Sequence, residues 1–120
     1  MIYTIAVILH FLFDWILQPR EIAKTKSKNL KSLLKHLFHG IGSISNGIFL
    51  IFFCLTWFCN VPVTEWFLFG WLNLFFHGLI DWYLPKLFKP GLSERRMVNM
   101  VAVDQMLHLS ILFLSINYLI

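Results

Sequence analysis

Charge is scarce in this chain of 120 residues: Asp, Glu, Lys and Arg make up 13% of it, whereas hydrophobic residues make up 58%. The mean hydropathy is +0.72. This balance excludes an ordinary soluble domain, in which charged residues approach about 25% of the chain. It also excludes a disordered chain, which combines low hydrophobicity with high net charge. The composition therefore predicts an integral membrane protein.

Cysteine is nearly absent as well, which excludes a disulfide-stapled fold. The chain has two cysteines, Cys54 and Cys59. Because they are five positions apart, they lie on different faces of a helix and fit neither a CxxC redox pair nor a zinc ribbon. We interpret both as apolar side chains without a redox or metal-binding role.

Basic residues are missing from most of the chain, because all ten Lys and Arg lie within 20–35 and 86–96. Four apolar stretches make up most of the rest of the chain: one before the first basic segment, two between the segments and one after the second. Each is near the roughly 20 residues that a membrane-spanning helix needs. With four spans, both basic loops face the same side, which the positive-inside rule makes the cytoplasm. We therefore expect an all-α, polytopic membrane protein of the bacterial inner membrane with both termini outside. Its single transmembrane domain has spans at about 1–17, 33–58, 63–84 and 97–120 and cytoplasmic loops at 18–32 and 85–96.

The net charge of +4 raises the question of partners. Because the basic residues flank membrane spans, anionic lipid headgroups explain them better than nucleic acid does. Pro19 predicts a short helix in the first basic loop, along the inner surface of the membrane. A bundle of this size has little internal volume for a substrate cleft, so we expect a homodimer.

A short pattern, HxxxDW, occurs twice in the chain. It spans 10–15 near the end of the first predicted span and 77–82 near the end of the third. In each case a basic loop follows, and then a helix that opens with another polar cluster. The pattern predicts two repeated helical hairpins related by an axis near the membrane normal.

Every His and every Asp of the chain falls into one of four clusters at helical spacing, all near the cytoplasmic ends of the predicted spans. A charged side chain at mid-membrane costs about 2.5–3.5 kcal/mol, so eight such groups call for a compensating partner. Side chains from facing helices hold paired metal ions in bundle cores, and a His-rich set favours zinc. We predict one or two transition-metal ions bound by His10, Asp14, His36, His39, His77, Asp81, Asp104 and His108.

A metal ion with a free coordination position lowers the pKa of a bound water to about 7, which is hydrolase chemistry. We expect Asp14 or Asp104 to act as the base, while Gln18 and Gln105 orient a carbonyl or phosphoryl oxygen of the substrate. The predicted substrate is a phospholipid or isoprenoid phosphate ester at the membrane. Basic residues near the inner mouth could attract its headgroup: Lys24, Lys26, Lys35, Arg95 and Arg96.

Three other interpretations are open at this point. The polar groups could form a hydrogen-bonded network that only fixes helix packing. They could form a pathway for protons or divalent cations, because intramembrane His and Asp also serve in relays. The chain could also be a non-enzymatic membrane protein that binds another membrane protein. Within a metal site, some of the eight groups could orient a ligand instead of binding the ion.

Four motifs together carry a resemblance: HxxxDWxLQ at 10–18, KHxxH at 35–39, HxxxD at 77–81 and DQxxH at 104–108. In this combination the chain resembles a domain-of-unknown-function family of short polytopic membrane proteins from bacteria and their phages. The resemblance covers nearly the whole chain and implies the membrane fold and the site residues more than a reaction. If the chain is encoded by a phage, the resemblance implies that the protein lies in the membrane of the host cell. A looser similarity is to bacterial inner-membrane proteins described as metal-dependent hydrolases.

Overall fold

The computed structural model describes residues 2–40, 43–59, 61–88 and 93–119, and these residues form helices with no strand among them. The all-α class is therefore confirmed. The first helix continues directly into a π-helical segment, Leu12–Ile16, in which the amide of Leu17 donates to the carbonyl of Leu12. The helices are α1 (Ile2–Phe11), α2 (Arg20–Thr25), α3 (Leu30–Phe38), α4 (Ile44–Cys59), α5 (Val63–Leu87) and α6 (Glu94–Leu119).

Two helices, α5 and α6, are long and apolar enough to cross a membrane. At 1.5 Å per residue, α5 with its 25 residues is about 37 Å long, which exceeds the roughly 30 Å of a hydrocarbon core. The two helices pack along each other. The apolar helical stretch Tyr3–Ile16 is shorter. Four spans and outward termini stay predictions.

The region predicted as one span at 33–58 forms two helices, α3 and α4. The chain leaves α3 at Gly40, which has a φ of +92°. Because a side chain is strained in this left-handed region, glycine is the residue that suits such a turn. The side-chain amide of Asn46 in α4 donates to the Gly40 carbonyl at 2.9 Å and closes the turn. Hydropathy alone does not show this break.

Helix α3 has one buried face, and this face directs a histidine into the bundle. The side chain of Asn29 caps its first turn by accepting from the amide of Ser32 at 2.8 Å. The buried residues of the helix are Leu33, His36 and Leu37, at the i, i+3, i+4 spacing of an apolar stripe. His36 therefore faces inward because the leucines beside it are buried.

Two clusters of buried apolar side chains hold the helices together. The smaller one joins α3, the start of α4 and α5, and its fully buried members are Leu33, Leu37 and Ile44. The larger one joins α1, α4, α5 and α6 through their buried faces. Its members are Ala6, Ile51, Trp66, Phe69, Leu112 and Ile116.

The π-helical segment packs tightly against α4 at a glycine. A Cβ atom on Gly47 would lie 2.9 Å from Cγ of Phe13, closer than carbon atoms pack. Gly70, by contrast, has room for a Cβ at an ordinary 3.5 Å from Ile48. Because Phe13 precedes the buried Asp14, the contact at Gly47 also sets the position of that carboxylate.

We expect Gly47→Ala to destabilise the protein, because overpacking a tight contact costs about 1–3 kcal/mol and outweighs the gain of about 1 kcal/mol in helix propensity. Gly70→Ala is the matched control and should be neutral or more stable. Denaturant unfolding of both variants in the same detergent checks this. Equal stabilities for the two alanine variants would contradict the tight contact at Phe13.

Candidate metal centre

Four buried side chains from three parts of the chain meet at one point. Asp14 comes from the π-helical segment, His36 from α3, and His77 and Asp81 from successive turns of α5. None of the four is more than 6% exposed. We name these four residues the central group. The i, i+4 spacing on α5 places its imidazole and carboxylate on one face, as the sequence predicts.

The ligand atoms of the central group converge closely. The Nε2 atoms of His36 and His77 are 3.2 Å apart. Oδ2 of Asp81 lies 2.9 Å from Nε2 of His36 and 3.2 Å from Nε2 of His77. Oδ1 of Asp14 lies 3.5 Å and 3.6 Å from the same two nitrogens. Two imidazoles and two carboxylates therefore present their donor atoms to a shared space.

These separations fit the coordination shell of a metal ion. Four ligands at about 2.0–2.2 Å from a tetrahedral ion lie about 3.3–3.6 Å from one another. Five of the six separations between the donor atoms of the central group are 2.9 to 3.6 Å, and all four residues have ligand atoms within 4.8 Å of one another. The group could therefore hold an ion with little movement of its side chains.

Two further groups share residues with the central group. Ligand atoms of His10, Asp14 and His108 lie within 4.8 Å of one another, and so do those of Asp81, Asp104 and His108. Asp14 and Asp81 thus each belong to two groups. Shared carboxylates of this kind are typical of bundle cores that hold two ions.

His108 is oriented to offer a lone pair. Its Nδ1 donates to the main-chain carbonyl of Asp104 at 2.9 Å, which leaves Nε2 as the acceptor nitrogen of the ring. Within the part of the chain that the structure describes, this buried Nε2 has no hydrogen-bond partner. Its ring centroid lies 4.0 Å from that of His77, beside the central group.

Both glutamines of the predicted site contact ligand residues directly. The Gln105 amide donates to Asp14 at 3.0 Å and to Asp104 at 3.1 Å, and its oxygen lies 3.2 Å from Nε2 of His10. The Gln18 amide lies 3.1 Å from Nδ1 of His36. Contacts of this kind fix the orientation of metal-binding side chains. Both glutamines thus contact candidate ligands, and Gln18 also lines the cavity described below.

Lys26 lies inside the centre. It is the C-cap residue of α2, and its Nζ lies 2.7 Å from Oδ1 of Asp81 and 3.6 Å from Oδ1 of Asp14. Burial lowers the pKa of Lys26, but the two carboxylates raise it by more, so the ammonium group stays charged. Sequence spacing did not reveal this contact, because it depends on how the loop after α1 folds back.

The other predicted site residues lie farther out. His39 is exposed at the C-cap of α3 and is not among the residues that the structure brings together, although its spacing from His36 predicted a shared face. At His39 the backbone is already extended, so the helical spacing no longer applies. Lys35, Arg95 and Arg96 are exposed as well.

A cavity of about 380 Å³ opens beside the centre. Its walls include the carboxylate residues Asp14, Asp81 and Asp104. Gln18, Lys24 and Lys26 line it too. Apolar side chains, among them Trp15, Leu84 and Met100, make up most of the rest of its walls. The expected homodimer stays a prediction.

Fold and site together define a small all-helical protein with two candidate membrane spans and a buried His and Asp group that could hold a metal ion. The chain belongs to the family described as protein of unknown function DUF3307, whose match covers residues 2–120. This confirms the resemblance to a domain-of-unknown-function family. No curated protein and no solved structure matches the chain.

We expect His36→Ala to weaken zinc binding by roughly 100-fold or more, since losing a residue that only orients a ligand already costs about 10–100-fold. The control is His39→Ala, three residues along the same helix and exposed, which should bind zinc like the wild type. Titration of each protein against a competing chelator checks this. Equal zinc affinities for the two variants would exclude His36 as a ligand.

Proposed function

We propose that the chain is an inner-membrane protein that binds one or two transition-metal ions and hydrolyses a phosphate ester associated with the membrane. The observation that carries the proposal is the central group, with its donor atoms at metal-ligand spacing, beside a 380 Å³ cavity that contains Lys24 and Lys26. A metal ion in the central group would neutralise Asp14 and Asp81 and add to the positive charge of the two lysines, which suits an anionic substrate.

The outer surface supports the membrane location. Large apolar side chains are exposed along the helices, among them Trp57 at 75%, Leu87 at 76% and Tyr118 at 83%. Soluble monomers rarely expose contiguous apolar surface of this extent, whereas lipid chains cover it in a bilayer. The cavity is lined by residues of the first basic segment, which the positive-inside rule assigns to the cytoplasm.

The donor set favours zinc among the common ions. Two imidazole nitrogens and two carboxylate oxygens form the central group, a mixture that suits zinc, manganese or iron better than calcium or magnesium.

For His36 to bind a metal ion through Nε2, its Nδ1 must carry the proton. A half-turn of the Gln18 amide then lets the amide oxygen accept from Nδ1, at the place where the two residues already meet.

Four protein ligands close a tetrahedral shell, whereas catalytic zinc sites keep a position for water and can expand to five ligands. The group of His10, Asp14 and His108 has three ligands and so suits a second ion with an open position. An ion here would polarise a phosphoryl oxygen and lower the pKa of a bound water. The count of one or two ions therefore stays part of the proposal.

Asp104 is the better candidate for the base. It lines the cavity and is only partly buried, while Gln105 donates to one of its oxygens. Asp14, the other candidate, has one oxygen in the central group and accepts from Gln105 with the other. Asp104 is thus the carboxylate that is free to take a proton from a water in the cavity.

A second function, proton or divalent-cation transport, is favoured by one observation. Lys26, Asp81, His77 and His108 form a connected row of titratable groups, with contacts of 2.7 Å and 3.2 Å and a ring separation of 4.0 Å. A transport site exchanges its ion and gives flux in liposomes, whereas a hydrolytic centre keeps its metal through purification.

We expect purified wild-type protein to contain stoichiometric metal and to release phosphate from p-nitrophenyl phosphate or from phosphatidic acid in vesicles. Asp104→Asn should keep the metal and lose activity by about 10²–10⁴-fold, the usual contribution of a general base. The matched control is Glu94→Gln, an exposed carboxylate at the start of the same helix, which should stay active. Elemental analysis and phosphate release are the two measurements.

Metal-free wild-type protein would overturn the metal centre itself. Stoichiometric metal without hydrolysis of either probe, combined with ion flux in liposomes, would favour the transport function.

A further inference from the structure

Lys26 is a largely buried cation to which the proposed hydrolysis gives no role beyond attracting an anionic substrate. Its side chain is 14% exposed, and its Nζ pairs with the carboxylates of Asp81 and Asp14. Both carboxylates belong to the central group. Lys26 therefore competes for the same negative charge that a metal ion would require.

The two cations would meet at Asp81. Its Oδ2 faces the imidazoles of His36 and His77, while its Oδ1 lies 2.7 Å from Nζ of Lys26. One carboxylate thus separates the ammonium group from the space between the imidazoles. Because the two carboxylates of the central group balance one divalent ion, Lys26 loses its counter-charge in a loaded centre. Of the other charged residues that line the cavity, Lys24 offsets Asp104, so one surplus positive charge remains.

An anion could bind in the cavity beside this surplus positive charge. Lys26 lines the 380 Å³ cavity together with Lys24 and Ser27, so its ammonium group can pair with a ligand in that cavity as well as with Asp81. Phosphate oxygens accept charge-assisted hydrogen bonds from a lysine, and hydroxyl groups add further donors. The cavity volume greatly exceeds the roughly 30 Å³ that one water occupies in the liquid.

We propose that Lys26 binds a phosphate group in this cavity, and that phosphate at Lys26 and metal at the central group strengthen each other's binding. This inference rests on the proposed metal centre and names the residue that recognises the substrate's anionic part. A metal ion at Asp81 weakens the attraction between this carboxylate and Lys26. A phosphate group would then supply the negative charge that pairs with the ammonium group. By linkage, each ligand must raise the affinity of the other by the same factor.

The first test uses the wild-type protein in detergent. Zinc is titrated against a competing chelator with and without inorganic phosphate, and phosphate binding is measured with and without zinc. A protein-free titration corrects for zinc phosphate complexes. We expect each ligand to tighten the other by about tenfold, within the usual range of coupling between sites. Phosphate affinity that does not depend on zinc would overturn the inference.

Variants then assign the effect to Lys26. Lys26→Met should bind zinc more tightly than wild type without phosphate, because a competing cation is gone, and it should lose the coupling. Lys26→Arg keeps the charge and should keep the coupling, so it gives a second measurement if the methionine variant does not fold. Lys28→Met is the control, an exposed lysine two residues along that does not line the cavity.

Coupling that survives in Lys26→Met, or that is absent from both the wild type and Lys26→Arg, would contradict the role of Lys26. These outcomes can be distinguished from a failure of the proposed metal centre. If the wild type binds no stoichiometric zinc, the metal centre and this inference fall together. If it binds zinc without coupling to phosphate, only this inference falls.

The source of the phosphate group is a separate outcome of the same experiment. Protein in nanodiscs of phosphatidylcholine is compared with protein in nanodiscs that also contain phosphatidic acid. Tighter zinc binding only with phosphatidic acid assigns the site to a lipid headgroup. Tighter binding with inorganic phosphate in both discs assigns it to a soluble phosphate.

Discussion

Two buried carboxylates, Asp14 and Asp81, impose the constraint on which the rest of this structure depends. Each is at most 2% exposed, and an isolated ionised carboxylate in such surroundings costs several kcal/mol. The cost is offset only where positive charge or hydrogen-bond donors reach them. Three parts of the chain besides the carboxylates' own helices supply these groups: α3 through His36, the loop after α2 through Lys26, and α6 through Gln105. The helices therefore meet where they do because they share these two charges.

Much of the centre could be predicted from local spacing. His77 and Asp81 lie one turn apart on α5, and Asp14 and Asp81, which hold the same position in the repeated HxxxD pattern, both lie in the central group. All of the predicted ligands except His39 belong to groups that could hold a metal ion. Spacing works at these positions because the chain stays helical between the members of each pair, although it changes from α to π between His10 and Asp14. It did not work for His39, since α3 ends one residue earlier.

The contacts of Lys26 and the glutamines could not be predicted in the same way. Their partners are distant in sequence, 91 positions apart for Gln105 and Asp14. Such contacts depend on how helices pack and how loops return, and helical periodicity carries no information about either. The break at Gly40 had a local signal, a glycine beside a polar residue, but the apolar run on both sides concealed it. Hydropathy measures composition over a window and does not register one residue with a positive φ.

Helix α3 has a consequence for how the four side chains of the central group come together. It supplies one ligand, His36, and is bounded by the Asn29 cap and by the turn at Gly40. Its nine residues therefore form a helix separate from α4. Leu33 and Leu37 pack α3 against the long α5, and in this position His36 lies beside His77 and Asp81. An ion that bound all four side chains would stabilise this packing of α3, because it would bind only that arrangement.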